Sequence, residues 1–215
     1  STGTPPGSSA IRSRIRRVGS SSAANARVPD TEDTADSSTG TQPAPRCSGR
    51  KRKSSTRYRA AVSSPAARFA AQHTGLPALA DDAGLCVAAF GGLPGVQTAY
   101  YATQFGYAKG DANNVRALLE QMRGITDRRA ALVSTLVAVR SPQDPEPLIA
   151  VGRAAGEITE APRGSHGFGF DPVMYLPELG KTFAELPPEA KNAHSHRGQA
   201  ARQMMQLLRE HWLAG

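Results

Sequence analysis

The chain holds only two cysteines, Cys47 and Cys86, in 215 residues. Two thiols build neither a disulfide framework nor a four-cysteine zinc site, so the sequence points to a reducing compartment, the cytoplasm. Long apolar runs are missing too. The longest strong one, Ala131 to Val139, is strand-sized, far below the roughly 20 residues of a membrane span, so no membrane partner is expected. Leucine, phenylalanine, methionine and tryptophan are absent from residues 1–65. That stretch carries 14 serines, 7 threonines and only six large apolar or aromatic side chains. It cannot bury enough apolar surface to offset a backbone ordering cost of about 1–2 kcal/mol per residue. Residues 1–65 therefore read as a low-complexity, disordered basic segment ahead of a domain spanning residues 66–215.

Acid is scarce in the same place. The net charge is +8, which on its face suggests a nucleic-acid binder. Yet residues 1–65 hold 12 basic and 4 acidic residues, whereas residues 66–215 hold 14 of each. The domain is balanced, and nucleic acid is not the expected partner of its folded part. Residues 1–29 contain five arginines and no acid, a transit-like composition, and Arg50-Lys51-Arg52-Lys53 resembles a localisation or polyanion patch. A solvated charged tail is the plainer reading. No apolar stretch follows the arginines, which disfavours a secretory signal.

From Ala66 onward the texture changes. Pro65 to His73 reads as a short helix stopped by Gly75 and Pro77. Ala78-Leu79-Ala80 and Leu85-Cys86-Val87 read as a buried strand interrupted at Asp81-Asp82-Ala83-Gly84. Asp111 suits the N-cap of a helix reaching about Met122, with Val115, Leu118, Leu119 and Met122 at helical spacing. Residues 132–139 and 148–158 read as strands joined in a hairpin across Ser141-Pro142-Gln143-Asp144-Pro145. Residues 173–176 suit a short strand, and residues 198–213 an amphipathic helix with Ala201, Met204, Met205, Leu208 and Trp212 on one side. The class is α/β with antiparallel elements.

Three segments carry residues suited to chemistry. Asp81 and Asp82 are expensive to bury in an apolar strand unless neutralised. Alternation sends them to opposite faces, one to brace a loop and one into a cleft. Carboxylates suit Mg²⁺, which takes one or two of them together with phosphates; a structural Asp turn is the alternative. Gly167-Phe168-Gly169-Phe170-Asp171-Pro172 combines close backbone approach with aromatic stacking surface. Its alternative is a turn with two core phenylalanines. Lys191-Asn192-Ala193-His194-Ser195-His196-Arg197 offers cations to phosphate and a histidine donor to a base carbonyl. His194 and His196 lack a third ligand at zinc spacing, and Ser195 could simply cap a helix.

Together, Leu76 to Leu85, Gly91-Gly92-Leu93-Pro94-Gly95, Gly167 to Pro172 and Ser195-His196-Arg197-Gly198-Gln199-Ala200 resemble the inosine triphosphate pyrophosphatase family, most closely its bacterial members. The resemblance covers residues 66–215. It implies an elongated mixed sheet with flanking helices, two lobes around a central cleft, and a homodimer. It also implies Mg²⁺-dependent hydrolysis of dITP, ITP or XTP between the α and β phosphates. Carried over residue by residue, Asp82 would be general base and metal ligand. Phe168, Gly169, Phe170 and Asp171 would hold the base, and Lys191, His196 and Arg197 would contact the nucleotide. Ala83 stands in the substrate-contacting position where serine is common, so one hydroxyl contact is lost. The family's opening apolar strand and its Ser/Thr-x-Asn-x-x-Lys phosphate loop are not written in residues 1–65. A shifted reading frame or altered gene start would explain that composition.

Overall fold

The structure, a computed structural model, describes residues 55–213. The transit-like reading of residues 1–29 and the Arg50–Lys53 patch lie outside them. The disordered segment and the altered frame are expectations for residues 1–65, and of these residues 55–65 are described and belong to a helix, so disorder is corrected there.

Helix α1 runs over Ser55–Thr74 and contains Pro65 in its interior. The helix read from Pro65 thus begins ten residues earlier. Proline is favoured in a first turn, which made residue 65 look like a start, but the helix runs through it with Ser63-Ser64 before and Ala66-Ala67 after. Ala67 and Ala71 are buried against Val137 and Val139, and the Ser63 hydroxyl donates to the Thr135 carbonyl at 3.3 Å.

Strand β1, Ala78–Val87, follows as one uninterrupted element. It pairs residue for residue with β2, Arg129–Val139, from Ala78 opposite Val139 to Val87 opposite Ala130. The two aspartates do not break it, because its first half is half-exposed rather than buried: Leu79 is 48% exposed. β2 continues antiparallel to β3, Leu148–Ile158, as the hairpin reading required. β4, Met174–Leu176, and β5, Lys181–Thr182, complete a five-stranded sheet in the order β1-β2-β3-β4-β5. Every pairing in it is antiparallel. The α/β class with flanking helices holds, and the mixed sheet is corrected to an antiparallel one among the described residues. Helix α2 spans Asp111–Gln121, α3 Pro188–His194 and α4 His196–His211.

β2 is buried on both faces, and its pattern sets the layout. Val137 and Val139 face α1. Leu136 and Ala138 on the opposite face pack with Ala200 and Met204 of α4. Ala130 and Leu132, on that same opposite face but lower, join the main core with Leu85, Val87, Leu118 and Phe183. Ser134 lies between these two packings. On α4 the buried stripe is Ala200 and Met204, while Met205 is 48% exposed. The expected apolar side is therefore rotated by about one position, away from Ala201 and Met205. No helix among the described residues is long and apolar enough to cross a membrane.

α4 lies directly on β3. A Cβ at Gly152 would collide with the backbone of His196 and Ala200. The side chains of Gln203 and Gln199 accept the backbone N–H groups of Val151 at 2.8 Å and Arg153 at 3.2 Å. Gly152 is cross-strand partner to Ser134, which is followed across the sheet by Ala83. The start of α4 is thereby fixed over the point where the two packings meet.

Candidate functional site

The glycine–aromatic loop is a tight turn. The Asp171 N–H donates to the Phe168 carbonyl at 3.2 Å, and the Asp171 carboxylate accepts the Phe168 N–H at 2.8 Å. Gly169, with φ +60°, occupies the left-handed region that such a turn demands. The two phenylalanines part company. Phe170 is 3% exposed and belongs to the main core, whereas Phe168 is 59% exposed. The core alternative is right for Phe170 and wrong for Phe168.

Two cations lie over the Phe168 ring, the Lys191 ammonium 4.7 Å and the Arg197 guanidinium 5.3 Å from its centre. Each is also held by an acid. Lys191 Nζ donates to Asp171 at 2.5 Å, and Arg197 Nε donates to Asp81 at 2.7 Å. The second Asp81 oxygen accepts the Ser134 hydroxyl at 2.6 Å. Gly167 leaves the space this needs, since a Cβ there would overlap the Asp171 carboxylate. Ser195 caps α4, its hydroxyl accepting the Gly198 N–H at 3.0 Å, so the capping alternative is realised. That cap aims Arg197 from the first turn of α4.

The resulting cavity of about 310 Å³ is lined by His166, Gly167, Phe168, Asp171, Lys191, Asn192, Ser195 and Arg197, with Leu186 and Pro188. Four of the expected substrate-side residues therefore converge, counting Phe168, Asp171, Lys191 and Arg197. Gly169 and Phe170 serve as the turn and its anchor. His196 opens α4 and is 7% exposed, set against β3 rather than lining the cavity. Ala83 lies on the Arg197 face of β1, opposite Ser134. His166 and Asn192 also line the space, and no spacing signal in the chain points to either. A larger groove of about 490 Å³ along α2 is lined by Val115, Arg116, Leu119 and Glu160 among others. It contains none of the residues singled out above.

The acid pair divides as alternation requires. Asp81 takes the face of Ser134 and Arg197. Asp82 pairs across the sheet with Thr135, on the α1 face. The carboxylate that the resemblance makes the general base therefore does not face Arg197, because α4 packs on the opposite side of the sheet. The Thr135 hydroxyl beside it is buried with no hydrogen-bond partner among the described residues. Among the described residues β1 nevertheless ends the sheet order. A ligand lying across its rim can reach side chains of both faces.

For a metal, the described residues contain no group of three or more His, Cys, Asp or Glu side chains. That donor set does not suit a structural zinc site. Magnesium needs less of a protein, one or two carboxylates beside phosphate oxygens and water.

The chain is 84% identical over 149 residues to a dITP/XTP pyrophosphatase of Acidovorax sp. (strain JS42), covering 69% of this chain and 73% of that one. It is 80% identical over 146 residues to a dITP/XTP pyrophosphatase of Paracidovorax citrulli, covering 68% and 73%. Among solved structures, a HAM1 protein from Coxiella burnetii is 44% identical with a TM-score of 0.65, over 69% of this chain and 75% of that one. A nucleoside-triphosphatase, dITP/XTP pyrophosphatase from Mycobacterium abscessus is 36% identical with a TM-score of 0.58, over 78% and 82%. The model of the Ham1 family matches residues 50–207, a span that takes in the whole described sheet and every side chain of the cavity, and the chain belongs to that family.

Proposed function

We propose that this chain hydrolyses dITP, XTP and ITP to the monophosphate and pyrophosphate, with the 6-oxo purine held at Phe168. The observation that carries the reading is the chemistry of that cavity. Lys191 and Arg197 are each matched by an acid, so the wall around Phe168 is close to neutral and suits an uncharged base better than a triphosphate. Arg197 uses Nε on Asp81, which leaves its terminal nitrogens as donors. Lys191 likewise has donors to spare beyond the one given to Asp171. A ring presenting a carbonyl satisfies them. A ring presenting an amino group covers those donors without pairing them, at a cost of about 1–3 kcal/mol. The relatives named dITP/XTP pyrophosphatase support the same substrate class.

With the base at Phe168, the phosphates pass over the rim of β1 toward Asp82. Its carboxylate accepts the proton of the attacking water as the new P–O bond forms and the anhydride bond breaks, releasing pyrophosphate. Asp82 would also hold magnesium, which when bound would screen phosphate charge and acidify water. A homodimer in the cytoplasm completes the reading.

The test is pyrophosphate release from dITP and from dATP with Mg²⁺, repeated with Asp82→Asn. Strong preference for dITP and a loss of at least about 100-fold in kcat in the variant are expected for removal of a general base. Turnover that survives the substitution removes Asp82 from its role. Because the chain spans about 73% of the relatives it matches, a nucleotide-binding remnant is the competing outcome. It is recognised by titration with ITP that shows binding and no hydrolysis.

A further inference from the structure

Asp111 was expected to cap its own helix. It does not. The N-cap of α2 is Gly110, and no side chain caps that end. The Asp111 carboxylate instead accepts the N–H of Gly169 at 2.7 Å, across 58 residues of sequence. We propose that Asp111 is a positioning residue for base recognition, holding the Phe168–Asp171 turn so that the Phe168 ring stays under Lys191 and Arg197. This rests on the reading that the base binds at Phe168.

Asp171 closes the turn from its buried end, where Lys191 and the Ala184 N–H also hold it. A fixed external point is needed to hold the exposed end, and Asp111 is attached to one. Three residues along α2, Asn114 is buried and accepts the Ala102 N–H at 2.8 Å through its side chain. Val115 and Leu118 sit in the main core. Gly169 has open space where a Cβ would be, so glycine serves the backbone conformation there rather than relieving a clash. That conformation turns its N–H outward to Asp111. On the other side of the turn Phe170 is buried. Phe168 is therefore carried between a core anchor and an outward tie to α2.

The role is that of an acceptor, which separates it from a charge effect. Asparagine at 111 retains an acceptor oxygen and alanine does not. Titrate wild type, Asp111→Ala and Asp111→Asn with ITP, and measure kcat and KM for dITP and dATP. The alanine variant is expected to bind ITP about three- to tenfold more weakly, as loss of one exposed hydrogen bond implies. It should also raise KM with kcat kept and narrow the preference for dITP. The asparagine variant should restore most of each. Unchanged affinity and selectivity in Asp111→Ala, beside a wild type that binds ITP, overturns the positioning role alone. An asparagine variant as impaired as alanine overturns it as well. A wild type that binds no ITP overturns the base-site reading and this inference together.

Discussion

Arg197 and Asp81, 116 residues apart, are joined by a hydrogen-bonded ion pair of 2.7 Å whose acid is itself held by the Ser134 hydroxyl at 2.6 Å. The pair fixes a flexible side chain at an exposed position, where an unheld guanidinium would sample many rotamers. Asp81→Ala should therefore weaken ITP binding by about tenfold, with the loss coming from orientation rather than from charge attraction. Calorimetric titration in low and high salt checks this. A loss that disappears at high salt would indicate a field effect instead.

The two phenylalanines of the turn make opposite predictions. Phe168→Ala removes stacking surface and should lower ITP affinity by about 1–3 kcal/mol while leaving the unfolding midpoint nearly unchanged. Phe170→Ala empties a core position and should lower stability by about 3–5 kcal/mol. Urea denaturation paired with ITP titration separates them. A stability loss in the Phe168 variant matching that of the Phe170 variant would contradict the split.

Much of this was readable from the chain, and the failures have physical causes. The β2–β3 hairpin was legible because β-branched and aliphatic residues flank a turn with two prolines. Alternation along β1 separated Asp81 from Asp82, but which face each would meet depends on where α4 packs, and local sequence does not hold that information. The early start of α1 was hidden by Ser55, Thr56, Ser63 and Ser64, residues of modest helix propensity that tertiary contacts to β2 override. Phe168 and Phe170 look alike in sequence, since a turn rather than a strand decides which one is buried. The tie between Asp111 and Gly169 is a contact at long range, and a good capping residue gave a plausible wrong answer.

Gly152→Ala tests the seating of α4. The added methyl meets backbone of His196 and Ala200, which cannot rotate away as a side chain would. The helix must lift from β3, at a cost of about 1–3 kcal/mol. Because Arg197 follows His196 directly, ITP affinity should fall with stability. A variant of full stability and affinity would show that α4 is not held where these contacts place it.

The turn between β2 and β3 supplies a pH signature independent of the nucleotide site. Asp144 is buried, and its carboxylate accepts the Arg140 N–H at 2.7 Å and the Glu146 N–H at 3.0 Å. Arg140 also pairs with it at 3.2 Å. Hydrogen bonding from the Arg140 side chain, with the backbone donors, holds the carboxyl at about 2, below its ordinary 3.8, against the opposing effect of burial. A carboxyl whose folded value is depressed contributes stability that is fully present above the unfolded value and lost as pH falls through the folded one. The window is thus from about pH 4 down to about pH 2. Asp127, similarly depressed to about 2 by Arg129, is common to wild type and variant and drops out of their difference. The unfolding midpoint of Asp144→Asn should lie well below wild type at pH 7, and the gap should close as pH approaches 2. Arg68 ties the same turn to α1 by donating to the Pro142 and Asp144 carbonyls at 2.6 and 2.8 Å, so the loss should be felt in global unfolding. A gap independent of pH would mean that Asp144 acts through packing and neutral hydrogen bonds, without its charge.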